Sequence, residues 1–168
     1  MTSESILHAA TIVEALKTNG VSHTVWLPCS DTAAIHEAIT ADRTLHSIPV
    51  CREGETMAIA AGLWVGGRIP VVFVQNTGFF ESGDSIRGIG LAAEIPMVIL
   101  IGYRGYTRHG QTKDSAARFI EPMLHTWRIN YYLVECDADC DRISKAFEEA
   151  EQTSRPVAVL IGKECRPS

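Results

Sequence analysis

Short apolar runs alternate with amphipathic stretches almost from end to end of this chain, and that alternation limits its fold more than any single motif does. Residues 23–27, 45–50, 70–74, 96–101, 131–134 and 157–161 are strand-length and rich in Val, Ile and Leu. Between and around them, residues 5–17, 32–40, 53–65, 85–93, 116–127 and 139–151 carry helical periodicity. In the first of these, Ile6, Ala9, Ile12, Val13 and Leu16 fall on one stripe, and Asn19-Gly20 stops it. Asp31 is placed to cap the second. Near-continuous apolar strands separated by helices imply a parallel sheet covered on both faces. The expected fold class is therefore α/β: a single doubly wound, mainly parallel six-stranded sheet with helices on both faces. With neither an internal repeat nor a linker, residues 1–168 are expected to form one domain.

Composition narrows the function by exclusion. A net charge of −5 gives no basic footprint, so nucleic acid is not an expected partner. No run reaches the ~18 consecutive apolar residues of a membrane helix, and MTSESILHAAT lacks the marks of a secretory signal. A cytoplasmic chain without membrane contact is expected, with its five cysteines reduced. Cys136 and Cys140 share a helical face, but no further pair completes a four-ligand set, so no metal is expected on this chain. Both the Gly-x-Gly-x-x-Gly and the Gly-x-x-x-x-Gly-Lys patterns are absent. Cys29 follows a strand as a nucleophile might be placed, but no histidine can be paired with it from sequence, and a wall position is the plainer reading.

Doubly wound sheets bind ligands at the carboxyl ends of their strands. The segments to weigh are Pro28-Cys29-Ser30, Cys51-Arg52-Glu53, Gln75-Asn76-Thr77-Gly78 and Gly102-Tyr103-Arg104-Gly105. Arg52-Glu53-Gly54-Glu55, followed by a helix of small residues and by Gly62, resembles the segment of thiamine diphosphate enzymes in which an acid ends a strand. Pro28-Cys29-Ser30 looks like the first-strand loop of the same pyrimidine-binding domain, and Gln75-Asn76-Thr77-Gly78 like its third-strand loop. With Tyr103-Arg104-Gly105 and Glu121-Pro122-Met123-Leu124, the set is similar to the sulfopyruvate decarboxylase alpha subunit and the phosphonopyruvate decarboxylases, over about residues 5 to 163. Two stretches depart from the pattern: Phe79-Phe80-Glu81-Ser82 is bulky, and residues 106–114 differ, which bears on substrate identity.

The resemblance implies a 2-oxo-acid decarboxylase in which Glu53 bonds the cofactor's pyrimidine N1' and activates it, with Ala58, Ile59 and Ala61 contributing an apolar wall. By itself, Glu53 reads as a helix-start acid favoured by the macrodipole; the ordered set of strand-end matches favours the functional reading, and Glu55 reads as structural or a weak second contact. Pro28, Gln75, Asn76, Thr77 and Gly78 are candidate cofactor contacts. Cys29, Ser30, Gln75 and Arg104 are candidate substrate contacts. Alternatives stay open for each: a tight turn at 28–30, amides satisfying loop backbone at 75–77, and Arg104 bracing an interface rather than meeting an anion.

The family's Gly-Asp-Gly and downstream Asn, which hold the diphosphate through a metal, have no counterpart; only Gly83-Asp84-Ser85 is present. The resemblance thus implies a beta subunit carrying the diphosphate-binding domain and Mg2+, with thiamine diphosphate shared between the chains. Sulfopyruvate or phosphonopyruvate is the implied substrate. The alternatives are an uncharged 2-oxo acid, favoured if Phe79 and Phe80 face the pocket, and a non-catalytic module of the same fold.

Overall fold

In the computed structural model, which describes residues 6–29 and 32–166, six strands form one wholly parallel sheet. They are β1 (His23–Trp26), β2 (His46–Pro49), β3 (Pro70–Gln75), β4 (Met97–Gly102), β5 (Tyr131–Val134) and β6 (Pro156–Ile161). Their spatial order is β2-β1-β3-β4-β6-β5. The helices are α1 (Ala9–Thr18), α2 (Ala33–Ala41), α3 (Glu53–Val65), α4 (Asn76–Glu81), α5 (Gly83–Ser85), α6 (Ser115–Thr126) and α7 (Asp141–Thr153). This is the doubly wound α/β sheet that the alternation predicts.

The apolar strands are continuous because both of their faces are covered. Every residue of β4 and β6 is buried. Successive side chains point to opposite faces, so Val71, Phe73, Val98, Leu100 and Val159 meet Leu16, Ile35, Ile39 and Ile143 of α1, α2 and α7. Val72, Val74, Ile99, Ile101 and Leu160 meet Met57, Ile120 and Leu124 of α3 and α6 on the other side. Each such side chain contributes about 1.5–3 kcal/mol by leaving water, and a charge placed in β4 would have no solvent on either face. No helix among the described residues is long and apolar enough to cross a membrane.

Two helices differ from expectation for identifiable reasons. The first begins at Ala9 rather than near residue 5, because the backbone before it is paired elsewhere. Arg166 N–H donates to Leu7 O at 2.9 Å, and the His8 N–H donates to Asp137 Oδ1 at 2.8 Å. Residues 85–93 hold a π-helix, Ile86–Ala92, rather than a regular α-helix. Gly88 and Gly90 weaken helix propensity there, and Gly90 lies so near β6 that a Cβ would stand 2.6 Å from Pro156 Cγ. Asp31, the expected cap of α2, lies outside the described residues, as does Ser30.

The chain leaves β1 for β2 on one side and returns to β3 on the other, so a crevice opens at the carboxyl ends of β1 and β3. A second reversal, between β4 and β6, arises because β5 lies outside β6. His36 of α2 secures the flank of the first crevice. Its ring stacks on Trp26, with centroids 3.6 Å apart, and tilts against Phe73 at 4.8 Å. Burial pulls the imidazole down to about 4, from an ordinary value near 6.5. The unfolded chain therefore takes up this proton first as pH falls, so stability is full above about pH 6.5 and is lost between there and pH 4, by about 3 kcal/mol in total. Urea denaturation at pH 7 and pH 4.5 is expected to show this acid loss in the wild type, with His36→Leu losing markedly less.

Candidate functional site

Helix α3 starts directly beyond the carboxyl end of β2, and its first residue is Glu53. Arg52 before it is extended and supplies no cap acceptor. Glu55 reaches back instead: its Oε2 accepts the backbone N–H groups of Cys51 and Arg52, both at 3.2 Å. That contact gives Glu55 a structural role.

Glu53 is half-buried and lies across α4. A Cβ built on Gly78 would stand 2.5 Å from Glu53 Cγ and 2.8 Å from its Oε1, so only glycine leaves room for this side chain. Among the described residues the Glu53 carboxylate has no hydrogen-bonding partner. The expected apolar wall is only partly formed: Ala61 is buried and Ile59 half-buried, but Ala58 is exposed on the outer side of α3.

The segment Gln75-Asn76-Thr77-Gly78, expected as a loop, runs from the end of β3 straight into α4. Asn76 is fully buried. Its Nδ2 donates to Arg104 O at 2.9 Å, and its Oδ1 accepts the Thr77 N–H at 3.0 Å. Both ends of the Asn76 carboxamide are thus bonded to backbone, the arrangement of the alternative in which these amides satisfy the local chain. The Thr77 hydroxyl donates to Gln75 Oε1 at 2.8 Å, and Arg104 Nη1 approaches the same oxygen at 3.5 Å. Gln75, Thr77 and Gly78 thus run in sequence from Arg104 toward Glu53.

Arg104 is exposed but anchored. Its Nε donates to Asp114 Oδ2 at 2.9 Å, while Asp114 Oδ1 caps α6 through the Ala116 N–H at 2.8 Å. The guanidinium holds the Asp114 carboxyl below the usual carboxylate range. The pair closes the neck of the loop 105–114, where Gly105 has φ +78° and a Cβ would lie 2.4 Å from Asp114 Cβ. Within that loop Arg108 pairs with Glu135 at 3.0 Å.

On the β1 side Pro28 is exposed and Cys29 half-buried. Cys29 Sγ lies 2.9 Å from Thr32 Oγ1, and Thr32 Cγ2 packs against Gly102 at the end of β4. Ser30, a candidate substrate contact, lies outside the described residues. Thr32, Gly102, Arg104, Tyr106 and Lys163 line a cleft of about 240 Å³ at the second reversal of the sheet. Phe79 is fully buried against Trp127, with ring centroids 5.8 Å apart, so it belongs to the core rather than to a substrate pocket. Burial pushes the Cys140 thiol up to about 12.

Glu81, seen in the sequence only as part of a bulky stretch, is engaged at the same place. Its Oε2 accepts the Gly54 N–H at 2.6 Å, and its Oε1 pairs with Arg52 Nε at 2.5 Å. The signal for it is the spacing Gly78-x-x-Glu81, one helical turn, which means something only once residues 76–81 are known to be helical.

The family model described as thiamine pyrophosphate enzyme, N-terminal TPP binding domain, matches residues 8–123. The chain belongs to this family. Among its relatives, the sulfopyruvate decarboxylase subunit alpha of Methanococcus maripaludis is 25% identical over 89% of this chain and 91% of its own length. The same subunit of Methanocaldococcus jannaschii is 26% identical over 89% of this chain and 90% of its own. The phosphonopyruvate decarboxylase of Streptomyces viridochromogenes is 30% identical over 86% of this chain but only 34% of its own length.

For a thiamine pyrophosphate enzyme the Gly78 cradle is the feature most open to direct test. Gly78→Ala forces either Glu53 or α4 to shift, and is expected to destabilise the chain by about 1–3 kcal/mol despite alanine's better helix propensity. Urea denaturation measures this, and Glu53→Ala in the same background should recover most of the loss by removing the colliding side chain.

Proposed function

We propose that this chain is the alpha subunit of a two-subunit thiamine diphosphate-dependent 2-oxo-acid decarboxylase, with Glu53 activating the cofactor. The observation that carries this reading is the half-buried Glu53 carboxylate, seated on Gly78 at the carboxyl edge and unpartnered among the described residues. Its neighbours at the same helix start are engaged: Glu55 through Oε2 and Glu81 through both oxygens. A carboxyl group left without a protein partner in so confined a seat fits a protonatable ring nitrogen such as pyrimidine N1'. When bound, thiamine diphosphate supplies the nucleophilic thiazolium carbon and the electron sink for loss of CO2.

The chain's own residues then divide the remaining work. Glu53 holds and moves the proton at N1'. Gln75 and Thr77 offer polar groups beside the ring, and Gly78 sets the depth of the seat. Pro28 and Cys29, at the end of the β1 loop, face the substrate. Arg104, already oriented by Asp114, receives an anionic 3-substituent, because a guanidinium suits sulfonate or phosphonate. The relatives' names support a 3-substituted pyruvate, sulfopyruvate or phosphonopyruvate, as substrate. An uncharged 2-oxo acid would be favoured by Phe79 and Phe80 facing the pocket, and of these Phe79 is buried in the core while Phe80 is half-buried.

A beta subunit supplies the diphosphate-binding domain and its Mg2+. Two observations support that division. The Gly-Asp-Gly pattern is absent from this sequence, and Asp84, the nearest approach to it, is paired with Arg87 at 2.6 Å. The subunit names of the archaeal relatives point the same way. In the reconstituted complex, Glu53→Gln is expected to lower kcat by about 10²–10⁴-fold with thermal stability unchanged. Undiminished turnover in that variant would refute the mechanism. Assayed on sulfopyruvate, phosphonopyruvate and phenylpyruvate, the wild type should turn over one of the first two; activity confined to phenylpyruvate would refute the substrate class.

A further inference from the structure

Helices α3 and α4 meet through two reciprocal contacts, each a glutamate laid over a glycine of the other helix. Glu53 of α3 lies over Gly78 of α4, and Glu81 of α4 lies over Gly54 of α3, where a Cβ would stand 3.3 Å from Glu81 Oε2. The second contact is also hydrogen-bonded. Glu81 accepts the Gly54 N–H at 2.6 Å and the Arg52 Nε–H at 2.5 Å. Arg52 and Gly54 are the two residues that flank Glu53, so one carboxylate holds the chain on both sides of it.

The arrangement replaces an ordinary helix cap. The first N–H groups of a helix have no partner within it, and a Ser, Asp or Asn at the capping position usually serves them. Here that position is Arg52, whose side chain has no acceptor to offer, and the side-chain acceptor for Gly54 N–H comes from another helix. Local capping would stabilise α3 as well, but would leave its first turn free to tilt against α4. A cap borrowed from α4 ties the two elements whose facing residues form the Glu53 seat.

We propose that Glu81 is a positioning residue: its clamp on Arg52 and Gly54 fixes the direction in which Glu53 presents its carboxyl group to the cofactor. The inference rests on the role given to Glu53 above. The bonded Arg52 guanidinium and the Gly54 N–H hold the Glu81 carboxyl below the usual carboxylate range, so the clamp stays charged and closed through neutral pH. Catalytic geometry tolerates misplacement poorly, a shift of ~1 Å costing on the order of 10²-fold.

Two measurements test the clamp. In the full chain without cofactor, Glu81→Ala should speed amide hydrogen exchange at Gly54 by about tenfold or more, because that N–H loses its acceptor. In the complex with the partner subunit at saturating thiamine diphosphate, the same variant should slow hydrogen–deuterium exchange at the cofactor's C2 by about 10–100-fold, with kcat falling in parallel and KM for the oxo acid within about twofold. Glu81→Gln keeps an oxygen for Gly54 but loses the ion pair, and should recover part of the C2 exchange; it also serves if the alanine variant does not assemble. Wild-type C2 exchange in the Glu81 variants, with exchange abolished in Glu53→Gln, overturns the clamp and leaves the Glu53 reading standing. Lower thermal stability with wild-type C2 exchange likewise overturns it, since the contact is then only structural. Wild-type C2 exchange in Glu53→Gln overturns the reading and the clamp together.

Discussion

Covering both faces of β3, β4 and β6 with helices leaves no polar side chain along those strands except Gln75 at the carboxyl end of β3, and the polar residues of the molecule are arranged around that exclusion. Side chains that must meet water or a ligand are displaced to the strand ends, where crossovers begin and backbone groups lack sheet partners. At the carboxyl ends the sheet order reverses between β1 and β3, so the helices that follow β2 and β3 converge instead of diverging. Glu53 and Gly78 come together because α3 and α4 both start at this edge and pack into the same core on one face of the sheet.

Polar residues at this edge serve two different ends, and their partners tell them apart. Asn76 is bonded at both ends of its carboxamide and holds the Arg104 backbone to the start of α4. Asp114 joins Arg104 to the first turn of α6. Such contacts satisfy buried or half-buried groups that would otherwise each cost about 1–3 kcal/mol. They also set Arg104 in one orientation. On the proposed reading, an anionic substrate group would meet a guanidinium already ordered by Asp114, which has neutralised part of its charge.

How much of this was legible in the sequence depends on where the stabilising partner lies. The apolar run of β4 and the helix from Glu53 to Val65 need only local pattern, and both were read correctly. Asn76-Thr77-Gly78 reads as a loop because all three residues are poor helix formers. What makes it helical is tertiary: the bonds of Asn76 to a segment 28 residues away and the burial of Phe79 against Trp127. Glu81 escaped notice for the same cause, since its partners are 27 and 29 residues distant. Glu53 itself was visible as an acid after a strand, whereas the glycine seat beneath it was not, because it depends on how two helices cross.

Three carboxylates gather at the start of α3, where the positive end of the helix dipole favours anions. Two of them hold backbone N–H groups, and the bonds to Arg52 and Gly54 hold the Glu81 carboxyl below the usual carboxylate range. A group that must take up and release a proton at a ring nitrogen cannot also serve as a cap, because the bonds that make a good cap favour one charge state. The division of labour is visible in the bonds: Glu55 caps its own strand-to-helix turn, Glu81 ties α3 to α4, and the Glu53 carboxylate is left without a partner among the described residues, as its proposed role requires. Had Arg52 been an aspartate, α3 would have carried its own cap, and the direction of Glu53 would have been set by the packing of α3 alone.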